Sequence, residues 1–146
     1  MTYKRFLLMI VTSMIIMYMA MYLNNYAWEH VFWSETRAYM SLIMGAIMAT
    51  VMLLFMLKHY PNTKVNTAIF IASAVVFSSS LYLVRSQTTV DDVAWMKAMI
   101  PHHSIAILTS KRAHISDPRV RQLADDIIAA QEREIEEMKR YIKDLK

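Results

Sequence analysis

Two methionines and two histidines lie within eight residues of one another, as Met96, Met99, His102 and His103. Thioether sulfur is a soft ligand and imidazole is a borderline one, so this combination suits Cu(I) better than most biological metal ions. The 146-residue chain has no cysteine that would supply a thiolate instead. The run therefore predicts a site for a soft metal ion. The alternative is that both methionines are core residues and that His103 bonds to a neighbouring helix.

Two helices near the C-terminus must position this run. The first is predicted to begin near Thr89 and to end near Ala113. Pro101 removes one of its backbone hydrogen bonds, and the expected kink would let both histidines face one pocket. The second is predicted to begin at Asp117, because aspartate caps helix N-termini and the proline that follows suits the first helical position. Only a short turn separates the two, so they should fold back as an antiparallel hairpin.

The second helix of this pair has a heptad-like apolar seam with one polar member, Gln131, and with Glu134 beside it. The seam comprises Ala124, Ile128, Gln131, Ile135, Met138, Ile142 and Leu145. A polar seam residue often fixes the register of packed helices. In the functional interpretation, Gln131, Glu134 and Met138 face the two histidines. Because two helices bury little apolar surface, we expect two copies of the chain to form a four-helix arrangement.

Three apolar stretches without charged residues precede the helix pair, at 6–23, 39–57 and 68–84. A helix of such a length rises about 27 Å, which is close to the roughly 30 Å thickness of the hydrocarbon core of a bilayer. The single glycine and three prolines leave little room for β-hairpins. The sequence therefore predicts an all-α membrane protein, with a membrane domain at 1–85 and a second domain at 86–146.

The positions of lysine and arginine predict the orientation in the membrane. Four lie on one side, as Lys4, Arg5, Lys58 and Lys64, and two lie on the other, as Arg37 and Arg85. The positive-inside rule then places the N-terminus in the cytoplasm and residues 86–146 outside the inner membrane, in a periplasmic or extracellular location. Aromatic residues of the first loop are expected to form an interfacial belt on that outer side; they are Tyr26, Trp28, Trp33 and Tyr39. Basic and acidic residues alternate in the exported part, which gives no support for nucleic-acid binding.

Methionines recur every four residues in the second apolar stretch, as Met40, Met44, Met48, Met52 and Met56. A thioether path for Cu(I) is one interpretation. Apolar packing is favoured, because methionine is a flexible filler and no histidine or acidic residue accompanies the ladder. Beside it, Ser41, Gly45 and Ala49 form a small-residue face suited to close helix packing.

The remaining histidines lie outside these patterns. His30 and His59 are in loops on opposite sides of the membrane, and the simplest prediction is that both are solvated at the interface. His114 is in the turn between the last two helices, and nothing in its surroundings indicates a role.

Two longer patterns resemble the signature of the domain of unknown function 305 family. They are Asp92-x-x-Trp95-Met96-x-x-Met99-Ile100-Pro101-His102-His103-x-x-Ala106-Ile107 and Asp117-Pro118-x-Val120-x-x-Leu123-Ala124-x-x-Ile127-Ile128-x-x-Gln131-x-x-Glu134-Ile135-x-x-Met138. That family is described as ferritin-like, helical and typically exported, and some members bind copper or silver and accompany metal-resistance systems. The resemblance covers about residues 89–145. It implies a metal site with ligands Met96, Met99, His102 and His103, and a facing half of Gln131, Glu134 and Met138.

These features predict a membrane-anchored, outward-facing binding protein rather than an enzyme. Its cargo would be Cu(I), with Ag(I) as a second candidate, and it would sequester the ion or hand it to copper transport or resistance proteins. The alternative function is a structural or assembly partner of a membrane complex, in which the histidines merely pack. A ferritin-like oxidoreductase ranks last, because di-iron bundles need paired Glu-x-x-His elements and the first helix of the pair has none.

Overall fold

The computed structural model describes residues 2–145, and the regular structure in that range is helical throughout. Its α-helices are α1 (Tyr3–Ala20), α2 (Glu35–Phe55), α3 (Thr63–Ser86), α4 (Asp92–Arg112) and α5 (Pro118–Asp144). Short 3-10 turns, at Trp28–His30 and Leu57–His59, lie in the first two connections. The prediction of an all-helical chain is confirmed for the described residues.

The first three helices are each long and apolar enough to cross a membrane. They contain 18, 21 and 24 residues, and each begins several residues before the apolar stretch predicted from the sequence. The start of α3 shows why. The side chain of Asn62 accepts a hydrogen bond from the backbone N–H of Val65, so polar residues ahead of the apolar stretch form the first turn of the helix.

The chain divides into two compact units. One contains 2–21 and 36–89, and therefore the three apolar helices. The other contains 22–35 and 90–145, and therefore α4, α5 and the α1–α2 connection. The sequence-based division at residue 85 assigned 22–35 to the membrane domain, whereas the structure groups this segment with the C-terminal helices.

Within the apolar unit, α1 and α2 pack through the small-residue face predicted from the sequence. Ser41, Gly45 and Ala49 are all buried. The hydroxyl of Ser41 donates to the backbone oxygen of Met14 at 3.1 Å, and a Cβ atom added to Gly45 would overlap the side chain of Met14. Small residues on α2 therefore permit this close approach.

Part of the methionine ladder packs against the apolar cluster of the same unit. The members that do so are Met48, Met52 and Met56. The cluster itself consists of Phe6, Ile10, Ala49, Leu53 and Tyr60. This arrangement fits the apolar-packing interpretation of the ladder.

In the second unit, α4 begins slightly later than predicted. The side chain of Asp91, and not that of Thr89, caps it, because the Asp91 carboxylate accepts from the N–H of Ala94 at 2.7 Å. The helix then continues as α-helix through Pro101 to Arg112.

The start of α5 agrees with the prediction. Asp117 caps the helix by accepting from the N–H of Arg119 at 2.8 Å, and Pro118 is the first helical residue. Proline fits this position because the first backbone N–H groups of a helix have no intrahelical acceptor.

A shared apolar core joins α4 and α5. Its buried members are Met96, Ile100, Ile107, Ile135, Met138 and Ile142. Four of the seven residues in the predicted α5 seam are buried, namely Ala124, Ile135, Met138 and Ile142. Leu145 follows the last helical residue and is exposed.

Candidate metal centre

His103 on α4 lies opposite Glu134 on α5. Its Nε2 is 2.7 Å from Glu134 Oε2, and its Nδ1 is 3.0 Å from the backbone oxygen of Met99. A carbonyl oxygen only accepts, so we assign a hydrogen to Nδ1, which donates to Met99, while Nε2 donates to the carboxylate. Histidines that bind metals are commonly oriented in this way, with one ring nitrogen donating to a backbone oxygen. The orientation leaves Nε2 as the atom that would bind an ion.

The His103–Glu134 pair lies at the edge of the core and not inside it. The His103 side chain is 12% exposed and that of Glu134 is 45% exposed. A ligand from solution would therefore reach the carboxylate first and the imidazole beside it.

His102 is exposed, and its ring centroid lies 6.2 Å from that of His103 with an angle of 63° between the planes. Consecutive residues of an α-helix point about 100° apart. Because α4 stays helical through Pro101, His102 projects outward while His103 turns towards α5. The two rings are neighbours, but only His103 is held by a bond to the facing helix.

The predicted methionine ligands differ in their surroundings. Met96 and Met138 belong to the buried apolar core shared by α4 and α5. Met99 is half-buried and packs against the rim of that core, one turn before His103. Gln131 is half-buried on α5, one turn before Glu134 and Ile135. Among the predicted thioethers, Met99 is therefore the one that reaches the surface beside an imidazole.

Within residues 2–145, no group of three or more His, Cys, Asp or Glu side chains is arranged to hold a metal ion. Thioether sulfur is not among those donors. A single chain thus offers His103 and Glu134 as a bonded pair, with His102 and the soft donor Met99 next to them.

The α1–α2 connection carries a second histidine that packs against α4. Nδ1 of His30 is 3.0 Å from the hydroxyl oxygen of Ser104, and the same oxygen accepts from the N–H of Tyr26 at 2.6 Å. His30 is 7% exposed and Ser104 is 0% exposed. The prediction of a solvated His30 is therefore wrong. No local pattern indicates this contact, because the two partners are 74 residues apart in the chain.

The surroundings of His30 favour its neutral form. Burial lowers the pKa of His30, and the positive charge of Lys139 lowers it further, while Glu29 and Glu136 act in the opposite direction. The Lys139 ammonium lies 2.9 Å from Glu136 and 3.8 Å from Glu29. Its bond to Glu136 lowers the pKa of that carboxyl group.

A further contact holds the same connection to the helix pair. The Lys111 ammonium donates to Glu132 at 2.8 Å and to the Tyr26 hydroxyl at 3.2 Å. We call the side of the helix pair marked by Ser104, Lys111 and Lys139 the covered face, because segment 22–35 lies on it.

Comparison with known proteins bears on the C-terminal unit. Residues 82–145 match the family model described as Domain of unknown function (DUF305). That segment contains α4 and α5, and with them every residue of the predicted metal site.

A curated relative is similar over a longer region. The chain is 39% identical over 102 residues to uncharacterized protein L153 of Acanthamoeba polyphaga mimivirus, which corresponds to 68% of this chain and 65% of that protein. The chain thus spans less than two thirds of the length of that relative, and the alignment is longer than the segment that matches the family model. No solved structure matches the chain.

Proposed function

We propose, from the premise that residues 82–145 are a domain of the DUF305 type, that this protein is a membrane-anchored binding protein for Cu(I). The observation that carries the proposal is the arrangement around His103. Its Nδ1 is fixed on a backbone oxygen, and its Nε2 points to a partly exposed carboxylate. The half-buried thioether of Met99 and the exposed ring of His102 lie beside it.

The chemistry of these donors fits a soft ion. A thioether and imidazoles suit Cu(I), and Ag(I) as a second candidate, better than they suit Mg²⁺ or Ca²⁺. On binding, Nε2 of His103 would release its proton and take the ion in place of Glu134, and Nδ1 would keep its bond to Met99. Because this step releases a proton, affinity should fall at acid pH. Met96 and Met138 support the site from the core, and Gln131 and Glu134 line its α5 side.

In this proposal the helix pair is an antiparallel hairpin on the outer side of the inner membrane. The contacts between α4 and α5 are nested, since Arg121 donates to the backbone oxygen of Ser110 while His103 bonds to Glu134. The bias of basic residues supports a cytoplasmic N-terminus. The protein would then sequester copper that enters the outer compartment, or hand it to transport or resistance proteins there.

The test is a Cu(I) titration of the full chain in detergent, in competition with a chromophoric Cu(I) chelator under anaerobic reducing conditions. His102→Ala/His103→Ala should weaken binding by at least about 100-fold, or about 2.7 kcal/mol. The matched control is His59→Ala/His114→Ala, which removes two exposed histidines elsewhere and should leave the affinity within about threefold. Equal affinity of the wild type and the His102/His103 variant would overturn the assignment.

One observation favours the second candidate, a structural or assembly partner. Met96 and Met138 are core residues, and the His103–Glu134 bond joins the two helices directly. Substituting Met96→Leu, Met99→Leu, His102→Asn and His103→Asn together separates the candidates in cells. Copper tolerance falls under the binding function, and it stays unchanged under the partner function.

A further inference from the structure

One flank of the helix pair carries large apolar side chains that remain exposed. Successive residues of an α-helix lie about 100° apart around its axis, and the buried core residues mark the side of each helix that faces the other. Residues of α4 and α5 then share one flank, and the His103–Glu134 bond spans it. We call this flank the open face; it includes Trp95, Met99, His102, Leu123, Ile127 and Glu134.

The open face lies on the other side of the pair from the covered face. Segment 22–35 closes the covered face through the bonds of Tyr26 and His30 to Ser104 and through the Lys111 contact. The open face has no such cover from this segment. Large apolar side chains are exposed on it, with Trp95 at 50%, Leu123 at 59% and Ile127 at 37%.

The chemistry of the open face narrows the choice of occupant. Its exposed apolar side chains, Trp95 near the start of α4 and Leu123 and Ile127 near the start of α5, are of a kind that interfaces between proteins bury. Beside this flank lies Arg119, one helical turn before Leu123, and its guanidinium is bonded to the Asp117 carboxylate. A face that rests on anionic lipid headgroups would carry a cluster of free basic side chains. The Glu134 carboxylate in its middle would also be costly to bury in hydrocarbon.

We propose that a second copy of this chain covers the open face about a two-fold axis, and that both copies supply ligands to one copper centre. The inference rests on the proposed function. A two-fold contact pairs each residue with the same patch of its partner, so Met99, His102 and His103 each occur twice. The donors that one chain offers are few, and the second copy doubles them.

Two physical arguments favour this occupant. Two helix pairs in contact make a four-helix bundle, the arrangement in which metal sites are built from side chains on facing helices. Both copies are also held in one bilayer, and this confinement raises their effective concentration without any further contact. The apolar residues of the open face then become the core between the two pairs.

The first test is cross-linking of the metal-free full chain in nanodiscs or native membranes. Because the sequence has no cysteine, a single cysteine reports on a single position. Ile127→Cys on the open face should give a dimer with a short bismaleimide. Ala129→Cys, exposed on the opposite flank of α5, is the matched control and should remain monomeric. Equal cross-linking of both variants, or none at 127, would overturn the docking surface.

If a membrane surface covers the open face instead, the same experiment gives a different result. In that case Ile127→Cys would fail to cross-link and would also resist a water-soluble maleimide in liposomes while reacting in detergent. This result would place lipid on the open face and would contradict the second copy.

The second test separates the shared centre from copper binding itself. Ile127→Glu brings two carboxylates together across the two-fold contact and leaves every proposed ligand in place. It should dissociate the dimer and weaken Cu(I) binding at least about tenfold, whereas Ala129→Glu should do neither. Dissociation with unchanged affinity would show that one chain holds the ion, which overturns this inference and leaves the proposed function intact. A wild-type dimer that binds no Cu(I) would refute the proposed function and the shared centre, with the docking surface still supported.

Discussion

The two faces of the α4–α5 pair place histidine in contrasting environments. On the covered face, His30 is buried and bonded to the neutral hydroxyl of Ser104. On the open face, His103 is bonded to a half-exposed carboxylate, and His102 is exposed beside it. Imidazole therefore ties the α1–α2 connection to α4 on one face, while on the other it keeps a nitrogen within reach of a ligand.

The difference follows from what each ring nitrogen touches. The Nδ1 atoms of both His30 and His103 are engaged within the protein, with Ser104 and with the backbone of Met99 respectively. The Nε2 atom of His103 faces Glu134 at the surface, and a carboxylate can be displaced there by an ion. Burial instead lowers the pKa of His30 and so favours its neutral form. We therefore expect substitutions on the covered face to change stability and substitutions on the open face to change copper affinity.

The largest expected effect is that substitutions of the two histidines change different properties: His103 affects Cu(I) affinity, and His30 affects local stability. His103→Ala should weaken Cu(I) binding by about 100-fold, because it removes the oriented ligand. His30→Ala should leave the affinity within about threefold and should instead speed amide hydrogen exchange in segment 22–35. Chelator competition and exchange mass spectrometry on the same full-chain preparations measure both quantities. Loss of copper binding in the His30 variant would contradict the assignment of copper binding to the open face alone.

Ser104→Ala should have the next largest effect, confined to the covered face. The substitution leaves the N–H of Tyr26 and the Nδ1 of His30 without their shared partner, at a cost of about 1–3 kcal/mol in the opening free energy of segment 22–35. Native-state hydrogen exchange measures this free energy. Thr109→Ala, at an exposed site on α4, is the control and should cost less than about 0.5 kcal/mol.

The attachment of segment 22–35 to the covered face should also become weaker at acid pH. The pKa of His30 is lowered in the folded state, so the opened segment takes up a proton first as the pH falls through the ordinary value of about 6.5. The opening free energy of segment 22–35 should therefore have its full value above that pH. It should decline below it, until the pH reaches the lowered pKa of His30 in the folded state. Exchange protection of 22–35, corrected for intrinsic rates, checks this. His30→Gln should flatten the dependence, and protection that rises with acidity would contradict it.

The smallest expected effect is at the rim of the covered face. Glu29 is largely exposed and lies 3.8 Å from the Lys139 ammonium, which has the closer partner Glu136. Exposed ion pairs contribute little, so Glu29→Gln should change the opening free energy by less than about 0.5 kcal/mol. A larger loss in hydrogen exchange would mean that this ion pair, and not the buried Ser104 bonds, holds the segment.

The sequence was sufficient for those parts of the molecule that local patterns determine. Apolar length predicted the three long apolar helices, and the Asp117-Pro118 cap predicted the start of α5. The small-residue face of α2 was also recognised from spacing alone. These features depend on residues within a few turns of one another, so helical periodicity is enough to find them.

Such local patterns could not predict the contact between segment 22–35 and the covered face. The partners His30 and Ser104 come from segments separated by α2 and α3, and nothing in the residues around His30 marks it as buried. The sequence also could not show that Met96 lies in the core, because Met96 and Met99 both fall on the same side of the predicted helix as the histidines. Packing against α5 separates them, because Met96 lies in the shared core and Met99 only at its rim.

Copper K-edge X-ray absorption on the full chain, loaded with less than one equivalent of Cu(I), shows whether the open face supplies both nitrogen and sulfur to the ion. We expect a mixed shell of nitrogen and sulfur in the wild type. Met99→Leu should remove the sulfur contribution, whereas Met96→Leu, at a core position, should retain it. A sulfur signal that survives Met99→Leu, or a wild-type shell without sulfur, would contradict the assignment of the centre to the open face.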